Sequence, residues 1–271
     1  KKHIISKIRN NKTSYKKPVK LKRYLPTKIN WEMTDTIKFD KNYLYLPYEI
    51  KNGRPIILND ILLPPNINPK KLGKTFKMTK PKLWPGGTVP YLIDSKIKNI
   101  ESIKEAIEDI NSIGDIHFIL RVHEKDYVKF KPGKDNCYSN LGKIGGEQYI
   151  TLSDTCKKGN ILHEILHTLG FFHEQSRYDR DEYLTIFWNN IEEKYWVQFK
   201  KIPPKFNQEI IADFDYDSIM LYGPTSFAKN ANYVTMTKAD NSIYTSNRSE
   251  LSYLDIEKIQ LLYREQDIKN Q

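Results

Sequence analysis

Three histidines and a glutamate fall within eleven residues, His163-Glu164-Ile165-Leu166-His167-Thr168-Leu169-Gly170-Phe171-Phe172-His173. On a helix, residues four apart are separated by about 400° of turn, so His163 and His167 project from one face, as two nitrogen ligands of one metal must. Glu164 stands beside the first ligand and can reach a water at the metal without occupying the metal itself. Gly170 is where such a helix would stop, because glycine enters left-handed dihedrals without a Cβ penalty; the chain can then reverse and bring His173 to the same ion. Three neutral imidazoles leave tetrahedral Zn2+ one open position, the arrangement of a catalytic rather than a structural site. In a chain of 271 residues with 6 His, a chance His-Glu-x-x-His has a probability of about 1%, and Gly170 and His173 at their offsets lower it by orders of magnitude. His3, His117 and His123 have no such context and read as ordinary polar residues.

The elements that must position this segment are visible on both sides of it. Trp84-Pro85-Gly86-Gly87 reads as a turn and 89–93 as a strand; Ile100, Ile103, Ile107 and Ile110 then recur at helical spacing. Strand-like runs follow at 116–121, 127–130 and 148–152, before the helical pattern at about 161–169. Beyond Gly170 the periodicity fades until Ser252, with Asp255 three places on, resembles a capping box opening a final helix through Ile256, Ile259 and Tyr263. There is no internal repeat. Cys137 and Cys156 lie 19 apart across a Gly-rich segment, and the cysteines alone leave open a loop-closing disulfide or two buried thiols.

Hydrophobic residues at 39% and charged residues at 28% describe a globular chain and exclude wholesale disorder, and no apolar run approaches the roughly 20 residues that span a bilayer. The net charge of +11 is unevenly placed: residues 1–77 hold 19 Lys+Arg against 5 Asp+Glu, while the other 194 hold 25 against 28. The first 30 residues carry 11 basic side chains and no acidic one, which reads as a solvated tail rather than a nucleic-acid surface. Residues 31–74, broken by Pro47, Pro55, Pro64, Pro65 and Pro69, look extended, with little room for a helix.

On these residues the chain resembles the astacin-type zinc endopeptidases of the metzincin group. The likeness continues through His173-Glu174-Gln175-Ser176-Arg177-Tyr178-Asp179-Arg180-Asp181 and through Tyr216-Asp217-Ser218-Ile219-Met220-Leu221-Tyr222, similar to that family's Met-turn. It also includes 83–91, the Cys137-Tyr138-Ser139 segment through Cys156, and 251–256, covering about 84–263. The resemblance implies an α+β, metzincin-like catalytic domain. A twisted mixed sheet and two long helices would form its N-terminal half, and an irregular C-terminal half would end in a helix. A mostly extended propeptide would precede it.

Carried over residue by residue, the resemblance implies one catalytic zinc held by His163, His167 and His173. Glu164 would be the general base for the attacking water and Tyr222 a hydrogen-bond donor to the oxyanion. Met220 would form the floor under the metal, Glu174 would pair with the N-terminus freed by activation, and Cys137 would bond Cys156. Ile57-Leu58-Asn59-Asp60-Ile61 resembles the family's propeptide motif Phe-x-Gly-Asp-Ile, whose aspartate takes the metal's open position. Asp60 is thus the candidate zinc switch, with Asp35 or Asp40 as alternatives, and the chain reads as a latent zymogen. Cleavage is expected between 71 and 82, favouring the bond after Lys74 and a trypsin-like protease. That divides the chain into a basic tail and propeptide, 1–74, and a catalytic domain, 75–271.

Two departures stand out. The family's second disulfide has no cysteines here, Asp115 and Glu265 standing at those places, so the last helix is expected to be held by packing alone. Leu221 replaces the family's usual His. The implied partners are protein or peptide substrates, expected to pair with an edge strand at 148–152 or 127–130, in a secreted, extracellular protein. Asn11 and Asn247 would be glycosylation acceptors in a eukaryotic secretory route. The competing readings are a zinc-stabilised binding module with a polyanion-gripping basic front, and a peptidase using Glu192 or Glu193 as third ligand.

Overall fold

The computed structural model describes residues 38–39, 44–51, 53–64, 67, 75–207 and 212–269. The basic tail, Asp35, Asp40 and the bond after Lys74 lie outside the described residues. Thirteen strands and three α-helices occur among them: β1 (Lys38–Phe39), β2 (Leu44–Pro47), β3 (Glu49–Lys51), β4 (Arg54–Ile57), β5 (Ile61–Leu62), β6 (Thr75–Met78), β7 (Thr88–Ile93), α1 (Ile100–Asn111), β8 (His117–Leu120), β9 (Tyr127–Pro132), β10 (Tyr138–Asn140), β11 (Glu147–Leu152), α2 (Lys158–Thr168), β12 (Leu184–Ile186), β13 (Met236–Lys238) and α3 (Tyr253–Lys269).

Eight strands form one mixed sheet in the order β3-β4-β5-β10-β11-β9-β7-β8. β7, β8, β9 and β11 run parallel, and β10 turns antiparallel to β11. Alternation explains the parallel strands: Val128 and Phe130 of β9 are fully buried between half-buried neighbours, as a period of two requires. Helix α1 packs on α2 and β8, and α2 on β10 and β11. Ile103, Ile107 and Ile110 of α1 and Ile161, Ile165 and Leu169 of the α2 segment join Val89, Val128, Phe130 and Ile150 in the main core. Burial of that many branched side chains, at about 1.5–3 kcal/mol each, is what holds the helices on the sheet.

The sheet corrects one expectation. Residues 148–152 and 127–130 are interior strands with a partner on each side, so neither offers an edge. The last strand supplied from 88–152 on that side is β10, and its free edge is covered by β5, which pairs parallel to it at Ser139↔Ile61 and Asn140↔Leu62. Leu46, Ile57, Leu58, Ile61 and Leu63 of the front section pack with Leu141, Phe172, Ile202 and Phe206 in a second core.

Residues beyond Gly170 are mostly turns and short 3-10 segments, with a third core of Leu184, Phe199, Phe214, Tyr222, Met236 and Tyr244 and the small β12–β13 ladder. At the start of α3 the capping box forms as expected: the Ser252 Oγ accepts the Asp255 N–H at 2.8 Å and Asp255 Oδ2 accepts the Ser252 N–H at 3.1 Å. The helix is not held by packing alone. Lys258 Nζ reaches Glu174 Oε1 at 2.8 Å, Arg264 forks onto Asp115 at 3.0 and 3.1 Å, and the Tyr263 hydroxyl donates to the Leu169 carbonyl at 3.1 Å. Cys137 and Cys156 are joined in a disulfide.

Candidate active site

Helix α2 carries His163 and His167 on one face and ends in the hydrogen bonds of a Schellman motif. The Gly170 N–H donates to the His167 carbonyl at 2.8 Å, and the Phe171 N–H donates to the Leu166 carbonyl at 3.0 Å. Gly170 has φ 107, a value closed to residues with a Cβ without strain, and this is the bend that returns the chain so that His173 faces the helix. The ring centroids of the three imidazoles lie 4.7–5.2 Å apart, and all three are buried.

The tautomers of His163 and His167 follow from backbone contacts. His163 Nδ1 lies 2.9 Å from the Ile219 carbonyl and His167 Nδ1 2.7 Å from the Phe171 carbonyl; a carbonyl only accepts, so both Nδ1 atoms carry the proton and both Nε2 atoms present lone pairs. Burial pushes the His173 imidazole down to about 3 and holds His163 below its ordinary value, so both are neutral at pH 7, the form that ligates a metal.

Asp60 enters this group from the turn between β4 and β5. Its carboxylate oxygens lie 3.5, 3.4 and 3.2 Å from Nε2 of His163, His167 and His173, respectively. The turn is made by Leu58 at φ 46 and Asn59 at φ 75, the second being a residue that tolerates left-handed dihedrals. Lys51 Nζ fastens it, donating to the Asn59 carbonyl at 3.0 Å and to its Oδ1 at 2.8 Å.

The four side chains fit a metal. One ligand atom from each of Asp60, His163, His167 and His173 lies within 4.8 Å of the others, and His167 Nε2 and Asp60 Oδ1 are buried with no hydrogen-bond partner. Nε2 of His163 and of His173 face one another at 3.3 Å. The lone pairs of His163 and His167 aimed together beside a carboxylate are unfavourable unless a cation sits there, and three nitrogens with one oxygen are a zinc donor set.

Around them, Glu164 is buried; its desolvation, then the nearby Asp60 charge, push its carboxyl well above the usual range, against a hydrogen bond from Ser139. The Tyr222 ring lies 4.6 Å from that of His173 and its hydroxyl donates to the Leu58 carbonyl at 3.3 Å. Met220 is buried, and its carbonyl accepts the Glu174 N–H at 3.1 Å. Glu174 Oε1 accepts from Lys258, from Arg177 at 3.1 Å and from the Asp215 N–H at 3.0 Å. Glu192 and Glu193 are not in the metal-ligand group.

Sequence reasoning did not single out Ser139, Gln175, Arg177 or Lys258 for the site. Gln175 Oε1 accepts the Tyr222 N–H at 3.2 Å, and Asp255, noticed only as a cap, also accepts the Ser218 hydroxyl at 2.6 Å and the Ile219 N–H at 2.9 Å. None of these lies in a metal-ligand spacing; an isolated polar residue signals such a role only through contacts made in three dimensions.

A helix-borne histidine pair closed by a third histidine, with a buried carboxylate alongside, is a donor set suited to a zinc ion. The profile of the peptidase family described as Astacin matches residues 76–264, and the chain belongs to that family. Zinc metalloproteinase nas-13 of Caenorhabditis elegans is 39% identical over 184 residues, 66% of this chain and 40% of that protein. Astacin-like metalloprotease toxin 1 of Loxosceles intermedia is 39% identical over 191 residues, 68% of this chain and 72% of the toxin. Among solved structures, high choriolytic enzyme 1, a hatching enzyme zinc-protease from Oryzias latipes, superposes with a TM-score of 0.62 at 33% identity, covering 68% of this chain and 94% of that one. The chain spans 40% and 34% of the length of nas-13 and nas-15, the first two curated relatives it matches.

Proposed function

We propose that the chain is a secreted zinc endopeptidase in its latent form, with Asp60 as the fourth donor that keeps substrate and water from the metal. The observation that carries this reading is the approach of the Asp60 carboxylate to all three imidazoles at 3.2–3.5 Å. The cover of β10 by β5 supports it, since an extended substrate would need that edge. The disulfide suits an oxidising, extracellular compartment.

His163, His167 and His173 would hold zinc, which when bound polarises the scissile carbonyl and acidifies water. Glu164 takes the proton from the attacking water and delivers it to the departing amine nitrogen. The Tyr222 hydroxyl, released from the Leu58 carbonyl once the front section leaves, donates to the oxyanion of the tetrahedral intermediate. The aromatic packing of Phe199 and Phe227 against Tyr222 limits the directions in which its ring can move. Residues 1–74 act as tail and propeptide and 75–271 as the catalytic domain, with cleavage by a trypsin-like protease at 71–82.

Zinc content and hydrolysis of a quenched peptide, measured before and after limited trypsin digestion, test this. One zinc per chain throughout, with hydrolysis appearing only after trimming, is expected. Full hydrolysis by the intact chain, or none by the trimmed and metallated one, overturns it.

A further inference from the structure

Ser139 lies in β10, fully buried, and joins two parts of the site. Its Oγ lies 2.7 Å from Glu164 Oε2 and 3.0 Å from the Glu164 carbonyl, and its backbone N–H donates to the Asp60 carbonyl at 3.0 Å. A hydroxyl has one proton, and the shorter contact, to Oε2, is the stronger claim on it. Among the described residues no other hydrogen bond to the Glu164 carboxylate is formed. The terminal torsion of a glutamate is broad, so without that donor the carboxylate has no fixed orientation.

We propose that Ser139 is a positioning residue for proton transfer: its hydroxyl holds Oε2 and so leaves Oε1 to take the proton, an inference that rests on Glu164 being the general base. The strand that carries it is rigid. β10 is paired to β11 at Tyr138↔Thr151 and Ser139↔Ile150, and Cys137 just before it is disulfide-bonded. Ser139 therefore serves both events from one place: its main chain lines the edge that β5 covers and that an extended substrate would take over, and its side chain sets the base. Substituting the side chain leaves the main-chain donor intact, so binding and chemistry separate.

Trypsin-trimmed wild type, Ser139→Ala, Ser139→Thr and Glu164→Gln test this with a fluorogenic peptide. Ser139→Ala is expected to lower kcat about tenfold to a hundredfold while KM and zinc stoichiometry stay near wild type, and Ser139→Thr, which keeps the hydroxyl, to recover much of the loss. Infrared difference spectra of the metal-free chain, with glutamate labelled in its carboxyl carbon, read the contact without turnover. Ser139→Ala should shift one carboxyl band, and the same substitution in a Glu164→Gln background should shift none. An unchanged kcat, a loss carried wholly by KM or zinc, or an unshifted band overturns the role of Ser139. Glu164→Gln at wild-type rate overturns the general base instead, whatever the Ser139 variants do.

Discussion

Asp60 Oδ2 lies 3.2 Å from Nε2 of His173, a contact closed across 113 residues of chain. The two are brought together by unrelated devices, a hairpin turn with two left-handed residues on one side and a glycine-ended helix on the other. If this contact enforces latency, Asp60→Asn removes the charge while keeping the shape. The untrimmed variant should hydrolyse peptide at least about tenfold faster than untrimmed wild type, but short of the trimmed enzyme because β5 still covers β10. A chromogenic peptide assay with trypsin inhibitor present reads this directly, and equal rates would remove Asp60 from the latency.

Lys51 holds the same turn through Asn59, at 2.8 and 3.0 Å. Lys51→Ala should loosen the presentation of Asp60 by about 0.5–1.5 kcal/mol. Its readout is faster loss of zinc from the untrimmed chain to a chelating dye than in wild type. An unaltered rate would make the contact incidental.

Much of this was legible from local pattern. The metal-binding segment, α1, α2, the parallel strands and the capping box of Ser252 all follow from spacing, because each repeats or pairs within a few residues. Strand β10 did not show: Tyr138, Ser139 and Asn140 are all buried, so no alternation marks them, and what makes them a strand is pairing on both sides. Lys258 is a similar case. A lysine in a terminal helix reads as solvated, and only the carboxylate of Glu174, 84 residues earlier, explains its burial.

Breaking that pair gives a stability prediction. Lys258→Ala leaves Glu174 buried with Arg177 and one backbone donor, and should lower stability by about 2–4 kcal/mol, less than for a carboxylate left with no partner. Urea unfolding of the zinc-loaded chain measures it. A change below about 0.5 kcal/mol would show that Arg177 suffices.

Asp126 ties the glycine-rich loop before β11, accepting from Lys143 and from the Gly146 N–H at 2.7 Å. The Lys143 contact, then the Gly146 N–H, holds its carboxyl below the ordinary value. A carboxyl depressed in the folded state stabilises fully above its unfolded pKa of about 3.9, and that contribution is lost as pH falls through the folded value. Wild type should therefore exceed Asp126→Asn in stability at pH 6–7, with the gap closing below about pH 4. Paired urea titrations across that window check the sign; a gap that widens on acidification would contradict it.

If Asp60, His163, His167 and His173 hold zinc as proposed, that binding should also stabilise the fold. At free zinc a thousandfold above the dissociation constant, linkage supplies about 4 kcal/mol, so a chelator should lower the Tm by several degrees in wild type and by almost nothing in His167→Ala. Calorimetry with and without chelator decides between this and a metal bound elsewhere.

Zinc X-ray absorption on the untrimmed chain tests the central arrangement most directly. Three imidazole nitrogens and one carboxylate oxygen at about 2.0–2.2 Å are predicted, with the oxygen shell changing on Asp60→Asn and on trimming. Fewer than three imidazoles, or a spectrum indifferent to both changes, would contradict it.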